Sequence, residues 1–216
     1  DYFGFSVSLS SDGSIVAVGA YNNDGAASNS GHVRIYDYNG SAWVQVGADI
    51  NGEAINDNSG HSVSLSSDGS RVAIGAHRND GGGTDSGHVR IYDYNGSAWV
   101  QIGSDINGEA TDDRSGYSVS LSSDGSIVAV GAYNNDGAGN NSGHVRIYQY
   151  NNNSWSQLGA DINGETGNDY SGRSVSLSSD GSRVAIGALS NDGAGTDSGH
   201  VRIYQYNNNS WSQLGA

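Results

Sequence analysis

Apolar and polar residues alternate in short runs along the chain. After Phe5, Val7 and Leu9 are spaced by Ser6, Ser8 and Ser10, so one face is apolar and the other hydroxylated. That period of two is the mark of a half-buried β-strand. Asp12-Gly13 follows, a tight-turn pair in which glycine accepts positive φ. The next run, residues 14–20, puts Val16 and Val18 on one face. In two later copies Arg71 and Arg183 stand where Ile15 does, which predicts a partly wet opposite face. A polar Gly/Asn/Asp loop (22–31) leads to a third run in which Val33 and Ile35 point one way and His32, Arg34, Tyr36 and Tyr38 the other. Asn39-Gly40 makes a second tight turn before a fourth strand, residues 42–47, and a linker of about a dozen residues. No sustained helical period occurs.

This pattern is written four times. "SVSLSSDGS" begins at Ser6, Ser62, Ser118 and Ser174; "GHVRIY" begins at Gly31, Gly87, Gly143 and Gly199; tryptophan recurs at Trp43, Trp99, Trp155 and Trp211. Every anchor advances by 56 residues. The chain therefore reads as one repeat domain, 1–216, with units at 5–60, 61–116, 117–172 and 173–216. A lone four-stranded sheet cannot bury both faces, whereas stacked sheets can. The predicted fold is all-β: a β-propeller of four-stranded antiparallel blades, four of them in this chain. A β-solenoid is the rival, disfavoured by the hairpin turns. Three arrangements stay open: a four-bladed ring, an association of chains into a larger ring, or part of a longer array. Apolar blade ends favour self-association or a longer parent chain over a closed monomer.

Composition narrows the function classes. All nine basic residues are arginine, the net charge is −14, and there is no cysteine, methionine or proline. Such an acidic chain repels nucleic acid and anionic membranes, so neither is an expected partner. No apolar run approaches the roughly 20 residues of a membrane-spanning helix, so no membrane insertion is expected. No signal peptide is visible, and a start at Asp1 suggests a processed product or a piece of something longer. Without cysteine or lysine, thiol and amine nucleophiles are excluded. Four near-identical blades supply four copies of each group rather than one asymmetric site, so the chain is not expected to be an enzyme.

Phe3-Gly4-Phe5-Ser6-Val7 with Gly19-Ala20-Tyr21 resembles the FG-GAP repeat, the blade of the integrin α-subunit propeller and of many bacterial and algal surface proteins. The resemblance implies a propeller and an extracellular or cell-surface setting. There are departures: Phe-Gly occurs once, its later equivalents being Ser59-Gly60, Ser115-Gly116 and Ser171-Gly172. Tyr21, His77, Tyr133 and Leu189 replace the proline of the GAP element. Calcium-binding relatives carry a long acidic loop between the first two strands. Here that stretch is only Ser10-Ser11-Asp12-Gly13, and one carboxylate cannot supply the six to eight oxygens calcium takes.

The loop between the second and third strands holds the candidate ligand-binding residues: Tyr21, Asn23, Asp24, His77, Asp80, Asp85, Tyr133, Asp136, Asp192 and Asp197. Their amides and carboxylates suit a cation or sugar hydroxyls; calcium is the candidate cation, though no metal site is assigned. Asn-Asp-Gly is equally ordinary turn chemistry. Glu53 with Asp57, Glu109 with Asp112 and Asp113, and Glu165 with Asp169 read as an acidic connector in preference to a weak calcium site. His32, His88, His144 and His200 are expected to be hydrogen-bonded, with Arg34, Arg90, Arg146 and Arg202 paired to a nearby Asp. The tryptophans are expected to pack between blades rather than stack on sugars. Asn39, Asn95, Asn152 and Asn208 head Asn-x-Ser glycosylation sequons.

Two positions vary while the frame repeats: Phe5/His61/Tyr117/Arg173 and Tyr21/His77/Tyr133/Leu189. A binding rim varies in this way, and so does a place where drift is tolerated. The function expected is a non-enzymatic extracellular adhesion propeller that recognises protein or glycan through its blade loops. The alternative is a structural repeat array, or a self-assembling propeller with no dedicated ligand.

Overall fold

The computed structural model describes residues 1–215. In the first repeat the alternating run becomes β1 (Ser6–Leu9), which turns at Asp12-Gly13 into β2 (Ile15–Ala20). Asp12 makes the turn: its Oδ1 accepts from Ser14 N at 2.9 Å and from Ser10 Oγ at 2.7 Å, while Gly13 takes φ +74°. β3 (His32–Tyr38) pairs antiparallel with β2, Val18 opposite Arg34. Beyond β3 the fourth rung is broken into two pieces. β4 (Trp43–Gln45) pairs with the end of β3, and β5 (Ile50–Asn51) pairs with His32 and Val33 at its start. Residues 50–51 were expected in the linker; their backbone instead completes the blade.

The second blade repeats this as β6 (Ser62–Leu65), β7 (Arg71–Ala76), β8 (His88–Tyr94), β9 (Trp99–Gln101) and β10 (Ile106–Asn107). The third does so as β11 (Ser118–Leu121), β12 (Ile127–Ala132), β13 (His144–Asn151), β14 (Ser154–Gln157) and β15 (Ile162–Asn163). The fourth has β16 (Ser171–Leu177), β17 (Arg183–Ala188), β18 (His200–Asn207) and β19 (Ser210–Gln213). Each sheet is a four-rung antiparallel meander, and no helix occurs among the described residues.

The blades stack in chain order through one repeated junction. Val33, Ile35 and Ile50 of the first blade bury against Val63, Leu65, Val72, Ile74 and Tyr92 of the second. The second meets the third, and the third the fourth, through the equivalent residues. Polar staples recur at every junction. Trp99 Nε1 donates to Val46 O at 2.9 Å, and Leu65 N donates to Ser8 Oγ at 3.0 Å. Ser6 Oγ donates to Gly60 O at 2.7 Å. That linker carbonyl lies so close to β2 that a Cβ on Gly19 would stand 2.1 Å from it.

Among the described residues the stack has two uncovered faces. Val7 and Leu9 are 64% and 59% exposed, whereas Val63 and Leu65 are 9% and 7%. Val201 and Ile203 are 66% and 45% exposed, whereas Val89 and Ile91 are 0% and 1%.

Candidate functional site

Because β1 and β2 are antiparallel with Ser6 opposite Gly19, the residue before β1 and the residue after β2 emerge side by side at one end of the blade. These are the two varying positions. In the stack they join into a continuous aromatic ridge. Tyr2 stacks on Tyr21 at 5.4 Å between centroids, and Phe5 meets Tyr21 at 4.5 Å and His61 at 4.9 Å. His61 lies 4.1 Å from His77 and 4.4 Å from Tyr117, and Tyr117 lies 4.4 Å from Tyr133. In the fourth blade Arg173 covers Tyr117 and Tyr133 at 4.6 and 4.9 Å, and Leu189 ends the ridge exposed. Burial holds the His61 imidazole down at about 4 and His77 at about 2, the latter also opposed by the charge His61 would carry. Both rings are therefore neutral at neutral pH; His61 is half-buried, and His77 is buried and packs within the ridge rather than on its surface.

Of the predicted loop residues, Tyr21, His77 and Tyr133 belong to this ridge. The carboxylates do something else. Asp24 Oδ1 accepts from Asn29 N at 2.7 Å, and Asp80, Asp136 and Asp192 accept in the same way from Asp85, Asn141 and Asp197 at 2.7–2.8 Å. The acceptors' partners all sit at positive φ, near +50°. Asn23 Oδ1 accepts from Gly25 N at 2.7 Å, and Asp85 also pairs with Arg114 at 3.1 Å. These contacts shape the turn around each Asp and leave the aromatic residues as the contiguous surface. Tyr2 and Tyr170, which share one repeat position with Asn58 and Arg114, also join the ridge.

The linker acids separate. Asp57 and Asp113 are buried, accepting from Asn79 Nδ2 and Asn135 Nδ2 at 3.1 Å. Glu53 and Glu109 turn instead to the next blade's third strand. Glu53, His88 and Asp105 bring ligand-capable atoms within 4.8 Å of one another, as do Glu109, His144 and Asp161. The expected hydrogen-bonded histidine is not found at His88: it is buried, and neither ring nitrogen has a partner. Burial and the neighbouring Arg90 or Arg146 charge hold His88 and His144 down at about 4. Arg34 does pair with an Asp, Asp49, through two bonds of 2.9 Å, but Arg90 and Arg146 pair with Glu53 and Glu109 at 3.2 and 3.1 Å. The trio spans the linker of one repeat, the third strand of the next and the break in that blade's fourth rung. The 56-residue recurrence of Glu, His and Asp was the available signal for it; no local motif was.

The FG-GAP repeat family matches residues 1–36, 51–92 and 107–148, more than half of the chain. No curated protein matches it in sequence. Among solved structures, a candidate 6-phosphogluconolactonase from Bacteroides uniformis is similar over 97% of this chain and 52% of its own, at TM-score 0.63 and 13% identity. Kuenenia stuttgartiensis hydrazine synthase is similar over 99% of this chain and 50% of its own, at TM-score 0.57 and 13% identity. KlAtg21, solved in complex with the coiled-coil of AgAtg16, is similar over 97% and 56%, at TM-score 0.64 and 14% identity. At these identities the likeness concerns the fold. The chain spans about half the length of each of these structures.

Proposed function

The chain belongs to the FG-GAP repeat family, and from that premise we propose that it is a non-enzymatic recognition module, a propeller arc of four blades that binds a glycan on its aromatic ridge. One observation carries the reading: two positions at which the repeats vary, Phe5/His61/Tyr117/Arg173 and Tyr21/His77/Tyr133/Leu189, meet in a continuous run of aromatic contacts. Repeats whose frame motifs recur to the letter have kept a ring at six of these eight places. Tyrosine offers an apolar face and a polar tip, a pairing suited to ligands that are partly wet. Neutral ring faces suit the apolar face of a pyranose, and the single guanidinium of Arg173 over Tyr117 and Tyr133 adds a donor at one end. An extracellular or cell-surface setting accompanies this reading, supported by the resemblance to surface-protein blades.

A glycan array probed with the chain and with Tyr21→Ala and Tyr133→Ala tests it. Saturable binding to one sugar class is expected, weakened about tenfold in each variant, which corresponds to about 1.4 kcal/mol. Silence from folded protein overturns the glycan reading in favour of a protein ligand. Binding that both variants retain in full removes the ridge from the site.

A second reading, end-to-end assembly, rests on the open ends. Val7 and Leu9 on the first blade, and Val201 and Ile203 on the fourth, are the two halves of the junction that is buried three times inside the chain. A second copy could repeat that junction at each end and close a ring of eight blades. Further repeats of a longer parent would cover the same faces.

A further inference from the structure

We propose that the clusters Glu53–His88–Asp105 and Glu109–His144–Asp161 are sites for a divalent transition-metal ion of the zinc class, each clamping one blade to the next. The site is independent of the aromatic ridge. His88 Nδ1 lies 3.8 Å from Asp105 Oδ2. His144 Nδ1 lies 3.9 Å from Asp161 Oδ2 and 4.0 Å from Glu109 Oε2. Those gaps are too long for hydrogen bonds and leave a space bordered by one neutral nitrogen and two carboxylate oxygens. Bonds of about 2.0–2.2 Å from a tetrahedral zinc place its ligands about 3.3–3.6 Å apart. Small rotations of the carboxylates close that difference, because both are partly exposed.

The outer oxygens are already held. Glu109 Oε1 faces Arg146 Nη1 at 3.1 Å, leaving Oε2 for the histidine side. Asp161 Oδ1 accepts from Gln157 Nε2 at 2.6 Å, leaving Oδ2 free. In the other cluster Arg90 holds Glu53 Oε1 at 3.2 Å and Gln101 Nε2 holds Asp105 Oδ1 at 2.6 Å. Supporting donors that fix the ligands from behind are what metal sites use to orient carboxylates. The unpartnered nitrogens of buried His88 point to a ligand rather than to a satisfied packing role. Two carboxylates against one guanidinium leave the cluster one negative charge, favourable to a cation. Three protein ligands leave the fourth position to water.

The chain supplies its own comparison. In the first blade the position equivalent to the glutamate lies outside the described residues, and there Arg34 closes onto Asp49 with two bonds of 2.9 Å. Where the glutamate is present, its equivalents Arg90 and Arg146 engage it and leave the Asp oxygen facing the histidine open.

Zinc titration of the metal-stripped full chain against a chromophoric chelator tests the assignment, with Co²⁺ absorption reporting the ligand field. Two ions per chain are expected, falling to one in Glu53→Gln and to none in Glu53→Gln/Glu109→Gln. Affinity at each lost site should drop at least tenfold, and zinc should raise the melting temperature of the wild type but not of the double variant. Glu53 and Glu109 are half-exposed, so these variants fold, as thermal melts without metal will check. Failure of the wild type to bind, or a stoichiometry that the two glutamate variants leave unchanged, overturns the proposal.

Discussion

Ile147 and Ile203 occupy the same place in the same strand of successive repeats, within the identical sequence His-Val-Arg-Ile-Tyr-Gln-Tyr. Ile147 is sealed against the fourth blade, and Ile203 lies largely open. Their neighbours within the sheet are the same. What differs is whether another described blade packs against the strand. Strand alternation decides which way a side chain points, and the next repeat decides whether it is buried. The arginines say the same thing about polar groups. Arg71 lies between blades, paired with Asp93, donating to Gly125 O at 3.0 Å and lying over Tyr150 at 5.0 Å. Arg183, against which no described blade packs, is exposed.

The sharpest way to break this comparison is to truncate both isoleucines. Ile147→Ala should cost about 2–5 kcal/mol in urea unfolding, the range for a sealed aliphatic side chain, and Ile203→Ala should cost under about 1 kcal/mol. If Ile203→Ala proves as costly as Ile147→Ala at high protein concentration and mild after tenfold dilution, the end face is covered by a second copy, as end-to-end assembly requires.

Next come the glycines of the second strand. A Cβ on Gly131 would stand 2.1 Å from the Gly172 carbonyl, which the backbone cannot easily yield. At Gly187 the nearest atom is the Ser174 hydroxyl at 2.4 Å, which can rotate away. Gly131→Ala should therefore lower stability by about 1–3 kcal/mol and Gly187→Ala by well under half of that. Parallel thermal melts decide it, and equal losses would refute the carbonyl's role.

The remaining prediction concerns pH. His61 and His77 stay neutral in the fold, at about 4 and about 2, while the unfolded chain protonates them near 6.5. Below that value the unfolded state binds more protons, so stability is intact above pH 6.5 and falls as pH drops. The His61 share is lost between pH 6.5 and about 4, and the His77 share on toward about 2. His61→Tyr with His77→Leu, the residues that Tyr117 and Leu189 supply in other blades, should flatten the difference in urea midpoint between pH 7.5 and 5. His88 and His144, lowered in the same sense, keep some slope in place. An unchanged slope in the double variant would show that the ridge imidazoles are not shielded from protons.

Most of the frame was legible in the sequence because it is local: Val7 and Leu9 alternate, Asp12-Gly13 and Asn39-Gly40 turn, and everything returns after 56 residues. The tryptophans pack between blades as expected, Trp99 on Val46 and Trp155 on Ile102. The broken fourth rung was not legible, since Ile50-Asn51 is too short to carry a period and pairs only because β3 offers it an edge. The ridge was half legible: the varying positions were visible, but that rings from adjacent blades touch depends on how the blades stack. The Glu–His–Asp clusters are not legible in the sequence, because their members lie 35 and 17 residues apart and the glutamate's sequence neighbour is the acidic Asp57.

The staples between blades span fixed distances along the chain. Tryptophan indoles reach back 53 residues, serine hydroxyls reach 54 forward, and backbone amides reach 57 back. Each bond is thus defined by an offset rather than by an address. A gene that gained or lost 56 codons in frame would restore every such bond, wherever within the repeat the break fell. Unequal recombination, ruinous to most folded proteins, would here only change the number of blades, because each staple is defined by the offset itself.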